Sequence, residues 1–356
     1  MTLARVQIGV VMLAAALAVM PLSPSFVERQ FSTRLFPVTQ SALTWCSNLA
    51  PFALFDALML ALAGWWTWRL VRDLSTRRPG APGWIRVGRR LLSRTVTTAA
   101  ILYLLFLLTW GLNYRRRPLA DRLALNPQGP TPAAAEHIVL RAVTELNALY
   151  AEAHASESGN ATVGSSLSDA FARAQALLAA GWEARPARPK WTLLDPYFRS
   201  AGVSGMTDPF FLETLVASDL LTVERPFVMA HEWSHLAGFA NEGEANFLGW
   251  LTCIRGAELD RYSGWLFLYS EALPGLSRPA RNDAASRLAA GPRDDLRAIS
   301  DRLRRNVRPR VADVGWQVYD KYLKANRIEG GAASYRDVVR LVLSARFDEQ
   351  WVPTLK

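Results

Sequence analysis

Three long apolar stretches in the first third of the chain constrain its fold more than any other feature. They run over Val6–Leu22, from about Leu49 to Leu70, and from about Thr95 to Leu112. A helix needs about 20 predominantly apolar residues to cross the hydrocarbon core of a bilayer. The remaining sequence has the mixed patterning of a water-soluble domain. We therefore predict a three-span membrane anchor in residues 1–117 and a soluble domain in residues 118–356.

The positive charge belongs almost entirely to the membrane part. The chain carries a net charge of +10, yet residues 1–117 alone contain 14 Arg, no Lys and 3 acidic residues, giving +11. The remaining 27 basic and 28 acidic residues give −1. Basic segments beside apolar spans are typical of contact with membrane lipid, whereas a nucleic-acid-binding domain carries its own basic surface. We expect membrane lipid as a partner and no nucleic acid.

The distribution of arginines predicts the orientation of this anchor. Arg5 and eight Arg between the second and third stretches put nine on one side, against six on the other. Because positive charge accumulates on the cytoplasmic side, the N-terminus is expected inside. This predicts a multi-pass protein of the cell membrane with an extracytoplasmic soluble domain. The run Arg115–Arg117 after the third stretch opposes this orientation. A cleaved signal peptide at Val6–Leu22 stays open as the alternative to an uncleaved anchor.

We predict an α+β fold with mostly helices for the soluble part. Thr131 and Pro132 predict a helix start, with Thr131 as N-cap and the helix reaching about Ala153. The segments Val203–Met206 and Phe210–Val216 flank turn residues and predict a hairpin. Further helices are expected over about 168–180, 246–258, 264–273, 293–306, 311–325 and 334–346. The fold class is thus a mostly helical domain with a small sheet, preceded by three transmembrane helices.

The motif His231-Glu232-Trp233-Ser234-His235 predicts a zinc site. Residues four apart share one face of a helix, so both imidazoles can face one ion. Zinc accepts nitrogen and carboxylate ligands, and a catalytic site leaves one position open for water. Glu232 follows the first ligand and can act as general base toward that water. We expect Zn²⁺ as cofactor, His231 and His235 as ligands, and Glu232 as a catalytic residue.

The third ligand stays open between two glutamates. In the pattern HExxHxxGxxH the third histidine would fall on residue 241, which is Asn241. The other histidines, His137 and His154, lie far upstream. Glu242 and Glu244 both follow the turn expected at Gly238, and a second helix starting there would return one of them to the metal.

The motif resembles the gluzincin arrangement, in which a glutamate on the following helix completes the site. The resemblance rests on Asn241-Glu242-Gly243-Glu244-Ala245-Asn246. It implies that Glu242 is the metal ligand and that Asn246, one helical turn later, hydrogen-bonds a ligand histidine. That position is often Asp, and Asn is a weaker acceptor. Glu244 would then be a supporting or substrate-facing carboxylate, and it is kept as the alternative ligand.

The whole chain resembles an uncharacterised bacterial family of membrane-anchored HExxH zinc-peptidase-like proteins with three N-terminal spans. The matching segments are WGLNYRRRPL (Trp110–Leu119), HEWSHLAGFANEGEANF (His231–Phe247), RYSGWL (Arg261–Leu266) and YDKYLKAN with GGAASYRDVV (Tyr319–Val339). The resemblance implies a zincin-like fold with a gluzincin-type metallopeptidase domain. It also implies that Phe210–Val216 is an edge strand that binds extended peptide. It implies no particular substrate.

A zincin needs a donor for the developing oxyanion. Tyr262 is the candidate because it follows the metal helices closely, and Tyr319, Tyr322 and Tyr335 are the alternatives. The expected function is a membrane-anchored zinc metallopeptidase that hydrolyses peptide or protein substrates. The alternative is a zincin-like membrane sensor or scaffold whose metal is structural, with Glu242 and Glu244 both bound. An intramembrane protease is disfavoured because His231 lies far from every predicted span.

Overall fold

A computed structural model describes residues 3–76, 80–157, 165–179 and 181–356. Within this part the chain is mostly helical with one small three-stranded sheet, which confirms the α+β class. The predicted boundary near Arg117 marks a change in composition rather than a gap in packing. Phe36, Leu107 and Trp110 share one buried cluster with Trp233 and Phe239.

The N-terminal third is a set of long, largely exposed helices. The first helix, α1, spans Leu3–Val19. Three helical segments then follow one another directly: α2 (Pro24–Val27), a π-helical segment (Glu28–Leu35) and α3 (Phe36–Leu49). The next two helices are α4 (Leu54–Ser75) and α5 (Ala81–Thr109). Among the described residues, one helix is long and apolar enough to cross a membrane, Gly83–Thr109 within α5. α1 with Pro24–Leu49 would make a second candidate, bent by 116°. α4 contains Asp56 and Arg69 among its apolar residues, which lowers its hydropathy.

The helical segment Pro24–Leu49 is absent from the sequence prediction, which expected a loop between the first two spans. Phe36, Gln40 and Thr44 recur every fourth residue, so they share one helix face, and all three are buried. The Gln40 amide accepts from Arg185 N at 3.0 Å, and Thr44 Oγ1 donates to Leu212 O at 3.0 Å. Because polar residues occupy about half of the buried face, the sequence does not show the hydrophobic periodicity that usually predicts a helix.

Helices in the rest of the chain mostly match the prediction. The Thr131 Oγ1 accepts from Ala134 N at 3.1 Å, which confirms the N-cap. Two short helices, α8 and α12, were not predicted. In order the helices are α6 Pro132–Glu157, α7 Ser165–Leu177, α8 Asp195–Ala201, α9 Arg225–Leu236, α10 Glu242–Cys253, α11 Glu258–Ala272, α12 Arg278–Arg287, α13 Ala290–Asn306, α14 Pro309–Ala325 and α15 Asp337–Ser344.

The sheet lies beside α9. β2 (Gly205–Thr207) and β3 (Thr214–Val216) pair antiparallel, which confirms the hairpin with shorter strands than predicted. β1 (Pro189–Lys190) pairs parallel with β3 and was not predicted. The order β1-β3-β2 leaves β2 at the edge that packs on α9.

Candidate metal centre

α9 and α10 form a helical hairpin that carries the whole predicted motif. α9 ends at a left-handed glycine, Gly238, with φ of 80°, and Phe239 N donates to Ser234 O at 3.1 Å across the turn. This is the conformation that glycine adopts most easily at a helix end. Asn241 Oδ1 then accepts from Glu244 N at 3.2 Å and caps α10. Asn241, where a third histidine would have stood, is thus the N-cap that starts the helix at Glu242.

Three predicted side chains meet in the buried angle between these helices. Glu242 Oε2 lies 3.4 Å from His231 Nε2 and 3.5 Å from His235 Nε2. One ligand atom of each residue lies within 4.8 Å of the other two. All three residues are buried. Sequence spacing alone placed the two histidines together; the turn at Gly238 and the cap at Asn241 bring the glutamate to them.

The backbone fixes the orientation of His235. Its Nδ1 lies 2.8 Å from the carbonyl oxygen of Phe239, which can only accept, so Nδ1 carries a proton and Nε2 faces Glu242. Trp110 Nε1 donates to His235 O at 3.0 Å from the far end of α5. Burial alone would lower the pKa of His235, but the Glu242 carboxylate raises it to about 9.

Glu242 presents one oxygen to the histidines and the other to a tyrosine. Tyr319 on α14 donates its hydroxyl hydrogen bond to Oε1. Oε2 is buried and has no hydrogen-bond donor among the described residues. Burial opposes ionisation of Glu242, but the two imidazoles hold its pKa well below the usual range. A buried carboxylate oxygen facing two imidazole nitrogens is a donor set that fits a divalent cation, and zinc takes N and O ligands of this kind.

Glu232 lies on α9 next to the cluster and faces β2. Its Oε2 is 2.9 Å from Thr207 Oγ1 on the edge strand. A Cβ at Gly205 on the same strand would come within 2.7 Å of Glu232 Oε1, so the strand backbone approaches the carboxylate closely. Burial raises the pKa of Glu232 above its ordinary value, while His231, His235 and Thr207 oppose the rise.

Glu244 and Asn246 take different positions on α10. Glu244 Oε1 accepts from Leu119 N at 2.6 Å, on the side that faces the chain leaving α5. Burial raises the pKa of Glu244 to about 7. The structure therefore brings Glu242, and not Glu244, to the histidines. Asn246 lies one turn after Glu242, is buried, and lines the same cavity as the cluster.

The structure does not bring Tyr262 to the cluster, so its predicted role as oxyanion donor is not supported by its position. Its hydroxyl donates to Asp295, and its ring packs against Tyr150 and His154. Tyr319, one of the alternatives, contacts Glu242 instead. The side chain of Tyr335 lies outside the described part of the structure.

A cavity of about 660 Å³ opens beside the cluster, lined by His231, Glu232, His235, Glu242 and many apolar side chains. The strand beside it is β2, with Gly205, Met206 and Thr207 in the lining. The expected peptide-binding strand, Phe210–Val216, instead contains the central strand β3. The expectation that Phe210–Val216 is an edge strand is therefore wrong. Both halves of the hairpin are apolar, and β3 is central because β1 pairs with it.

Comparison with known families gives one match. Residues 31–343 match the model described as "Protein of unknown function (DUF3810)". The chain belongs to this family. Searches of curated proteins and of solved structures found no match. The DUF3810 region begins in the π-helical segment and ends in α15, so it includes the end of α5, both metal helices and α14.

Proposed function

We propose that this DUF3810 protein is a membrane-anchored zinc metallopeptidase. The observation that carries the proposal is the buried set of His231, His235 and Glu242 with the Glu232 carboxylate beside it in a large cavity. A buried carboxylate next to a candidate metal set and a cavity is a typical arrangement for hydrolysis. The order of these residues along the chain resembles that of gluzincins, which supports the same function.

His231, His235 and Glu242 would hold the metal. When bound, zinc supplies a Lewis acid that lowers the pKa of water and polarises a carbonyl group. The protein keeps the ligands in place with hydrogen bonds from behind, since partners of this type fix ligand orientation and basicity. The Phe239 carbonyl does this for His235, and Tyr319 does it for Glu242.

Glu232 is the proposed general base. Burial raises the pKa of Glu232 above its ordinary value, which makes the carboxylate a stronger base. It takes the proton of the attacking water and passes it to the leaving amine nitrogen. The Thr207 hydroxyl lies 2.9 Å from one Glu232 carboxylate oxygen and 2.8 Å from the carbonyl oxygen of the same residue, and the other carboxylate oxygen lies along Gly205.

The edge strand β2 is the proposed binding surface for the peptide backbone. β3 occupies one edge of β2, and residues Gly205–Thr207 line the cavity. An extended peptide adds to an exposed sheet edge through main-chain hydrogen bonds. Such a peptide would pass directly over Glu232.

We further propose that α1, α4 and α5 are all membrane spans and that the domain is extracytoplasmic. Arg327 of the soluble domain donates to Met20 O, directly after the end of α1, at 3.0 Å. At the start of α4, Leu54 N donates to the Glu213 carboxylate. At the end of α5, Thr109 Oγ1 donates to Pro209 O at 2.6 Å. All three helices therefore meet the domain at the ends that alternating spans would place on one side.

A sensor or scaffold with a closed, structural metal site remains the alternative. It requires a fourth protein ligand, and Glu244 was the candidate. The bond from Leu119 N to Glu244 turns that carboxylate away, so the site has three protein ligands among the described residues. This number favours the open site of a catalyst.

Glu232→Gln tests the mechanism because it keeps the shape and removes the base. We expect unchanged zinc content with peptide hydrolysis lowered by about 10²- to 10⁴-fold, the usual contribution of a general base. Glu244→Gln is the matched control, a neighbouring buried glutamate that should leave hydrolysis unchanged. A Glu232→Gln protein that binds zinc and cleaves as well as wild type would falsify the mechanism.

A further inference from the structure

The cavity beside the metal centre is walled mostly by large apolar side chains. They include Phe55, Phe198, Phe210, Phe227, Phe267 and Trp316. Outside the metal centre and Glu232, the charged residue in the lining is Glu224, whose carboxylate is held by Arg302 at 2.8 Å. The cavity therefore offers a substrate apolar contact and little unpaired charge. Its volume of about 660 Å³ suits several large side chains rather than one.

Two walls of this cavity are ends of the apolar N-terminal helices. Phe55 belongs to the first turn of α4, and Trp110 follows directly on α5, which contains the candidate membrane span. Glu213 accepts from Leu54 N and Phe55 N, at 3.0 Å each, and so fixes α4 to the sheet. If α5 crosses a bilayer, the cavity lies at the bilayer surface.

Exposed apolar residues lie in the lining of the cavity or a few residues from it along the chain. Trp316 and Tyr197 both line the cavity and are 41% and 45% exposed. Trp191, Leu193, Val314 and Val318 are exposed as well. We call these six residues the apolar rim.

The rim is continuous with α4. Leu193 N donates to Asp56 Oδ2 at 2.8 Å, and Asp56 lies in the first turn of that helix. A Cβ at Gly315 would lie 2.9 Å from Tyr197 Oη, so the Tyr197 hydroxyl lies close to α14 at the residue between Val314 and Trp316. Aromatic residues at the end of a span are typical of the interfacial zone of a bilayer.

We propose that the apolar rim rests in the bilayer surface and that the cavity takes large apolar side chains of a peptide segment that enters from the membrane. Cleavage of that segment rests on the proposed peptidase function; its binding rests on the cavity alone. The substrate class is an apolar, membrane-resident peptide rather than a soluble polar one.

The position of the rim is tested in vesicles by spin labels. Leu193→Cys and Val318→Cys are labelled in a Cys46→Ser background, since Cys46 is exposed and Cys253 is buried. Ser286→Cys on α12 is the solvent-exposed control. We expect both rim labels to relax with oxygen and to be shielded from a water-soluble nickel chelate, while the control label shows the reverse. Rim labels as accessible to the chelate as the control overturn the proposal.

The substrate class is tested by binding and by cleavage. The binding probe is a fluorescent peptide of about 20 residues with a Leu- and Phe-rich centre, compared with a Ser- and Gln-rich peptide of equal length. Glu232→Gln protein in vesicles should bind the apolar peptide at least about tenfold more tightly, and wild type should cleave it with a correspondingly higher kcat/KM. Equal binding and cleavage of both peptides contradicts the inference and leaves the peptidase proposal standing. Selective binding without any cleavage supports the inference and contradicts the peptidase proposal.

Discussion

Glu242 and Glu244 are two residues apart on α10, yet their carboxylates have opposite surroundings. Each helical residue turns the side chain by about 100°, so residues two apart face nearly opposite directions. Glu242 faces the two histidines, and Glu244 faces Leu119 N. Sequence spacing left both open as ligands because it fixed the helix start only to within a residue or two.

The two glutamates should differ sharply in metal binding. Glu242→Gln replaces the buried carboxylate with a neutral amide, which is a weaker metal ligand. We therefore expect this variant to contain less than one zinc ion per chain. Glu244→Gln keeps an oxygen that accepts from Leu119 N and should retain zinc. Metal analysis of the purified proteins measures both. A zinc-free Glu244→Gln protein together with a zinc-loaded Glu242→Gln protein would reverse the assignment.

Tyr319 should tune metal affinity through Glu242. Tyr319→Phe removes the hydroxyl that donates to Glu242 Oε1, and loss of such a supporting bond typically costs about 10- to 100-fold in metal affinity. Tyr322→Phe is the matched control, because Tyr322 lies one turn further on α14 and its hydroxyl lies 3.4 Å from Tyr114 Oη. Competition with a chromophoric chelator gives the affinities. Equal affinity of the two variants would contradict the role of Tyr319.

The sequence predicted the site residues that are close together along the chain, but it did not single out the tyrosine that comes from a distant helix. His231, Glu232 and His235 follow from helical spacing, and the turn at Gly238 suggested a following glutamate. Tyr319 arrives from α14, far along the chain, and was one of four tyrosines considered. Tyr262 was preferred for its nearness in sequence, but α11 directs its hydroxyl to Asp295.

At the scale of elements, β2 should be intolerant of side chains where it passes Glu232. In Gly205→Ala the new Cβ would lie 2.7 Å from Glu232 Oε1 and 3.1 Å from Val228 Cγ1, so the carboxylate must move. We expect kcat to fall by about 10²-fold, since small misplacements of a catalytic group have effects of this size. Zinc content should stay unchanged.

The control for this substitution is Gly275→Ala, because a Cβ there meets no atom within 4 Å. Gly275→Ala should match wild type in both kcat and zinc content. If Gly205→Ala also matches wild type, β2 does not constrain Glu232 as proposed.

The elements that sequence patterning found are those marked by an amphipathic pattern, a helix cap or turn residues. The Thr131 cap and the hairpin around Asp208 fall in this group. β1 is two residues long and is defined by pairing with β3, so no local pattern marks it. The helix in Pro24–Leu49 lacks a clear hydrophobic pattern because its buried face includes Gln40 and Thr44, which donate hydrogen bonds to Arg185 O and Leu212 O.

At the scale of the whole molecule, the packing shows which arginines should be counted when the membrane orientation is predicted. Arg115 donates to the Leu17 carbonyl, and Arg116 binds Glu28 and the Gly238 carbonyl at the end of α9. These charges are satisfied inside the protein and do not act as free flanking charges. Arg94, paired with Asp73, and Arg122, paired with Glu28, are held in the same way, and without these four the arginines stand eight against three, which favours the proposed cytoplasmic N-terminus.

The same packing predicts that the soluble part does not fold to a competent site alone. A fragment of residues 118–356 lacks Phe36, Leu107 and Trp110, three buried members of the shared cluster. Each large apolar side chain contributes about 1.5–3 kcal/mol when buried, and whole domains have only about 5–15 kcal/mol of stability. The fragment also loses the bonds that Trp110 and Arg116 donate to the end of α9.

We therefore expect the 118–356 fragment to melt without a cooperative transition and to bind zinc at least about tenfold more weakly than the full chain in detergent. Circular dichroism and zinc competition measure the two properties. Trp110→Phe in the full chain separates the causes, since it keeps an aromatic ring in the cluster and removes the bond to His235 O with part of the ring system. It should retain a cooperative transition with a modest loss of zinc affinity. A fragment that melts cooperatively and binds zinc like the full chain would show that the anchor is only a tether.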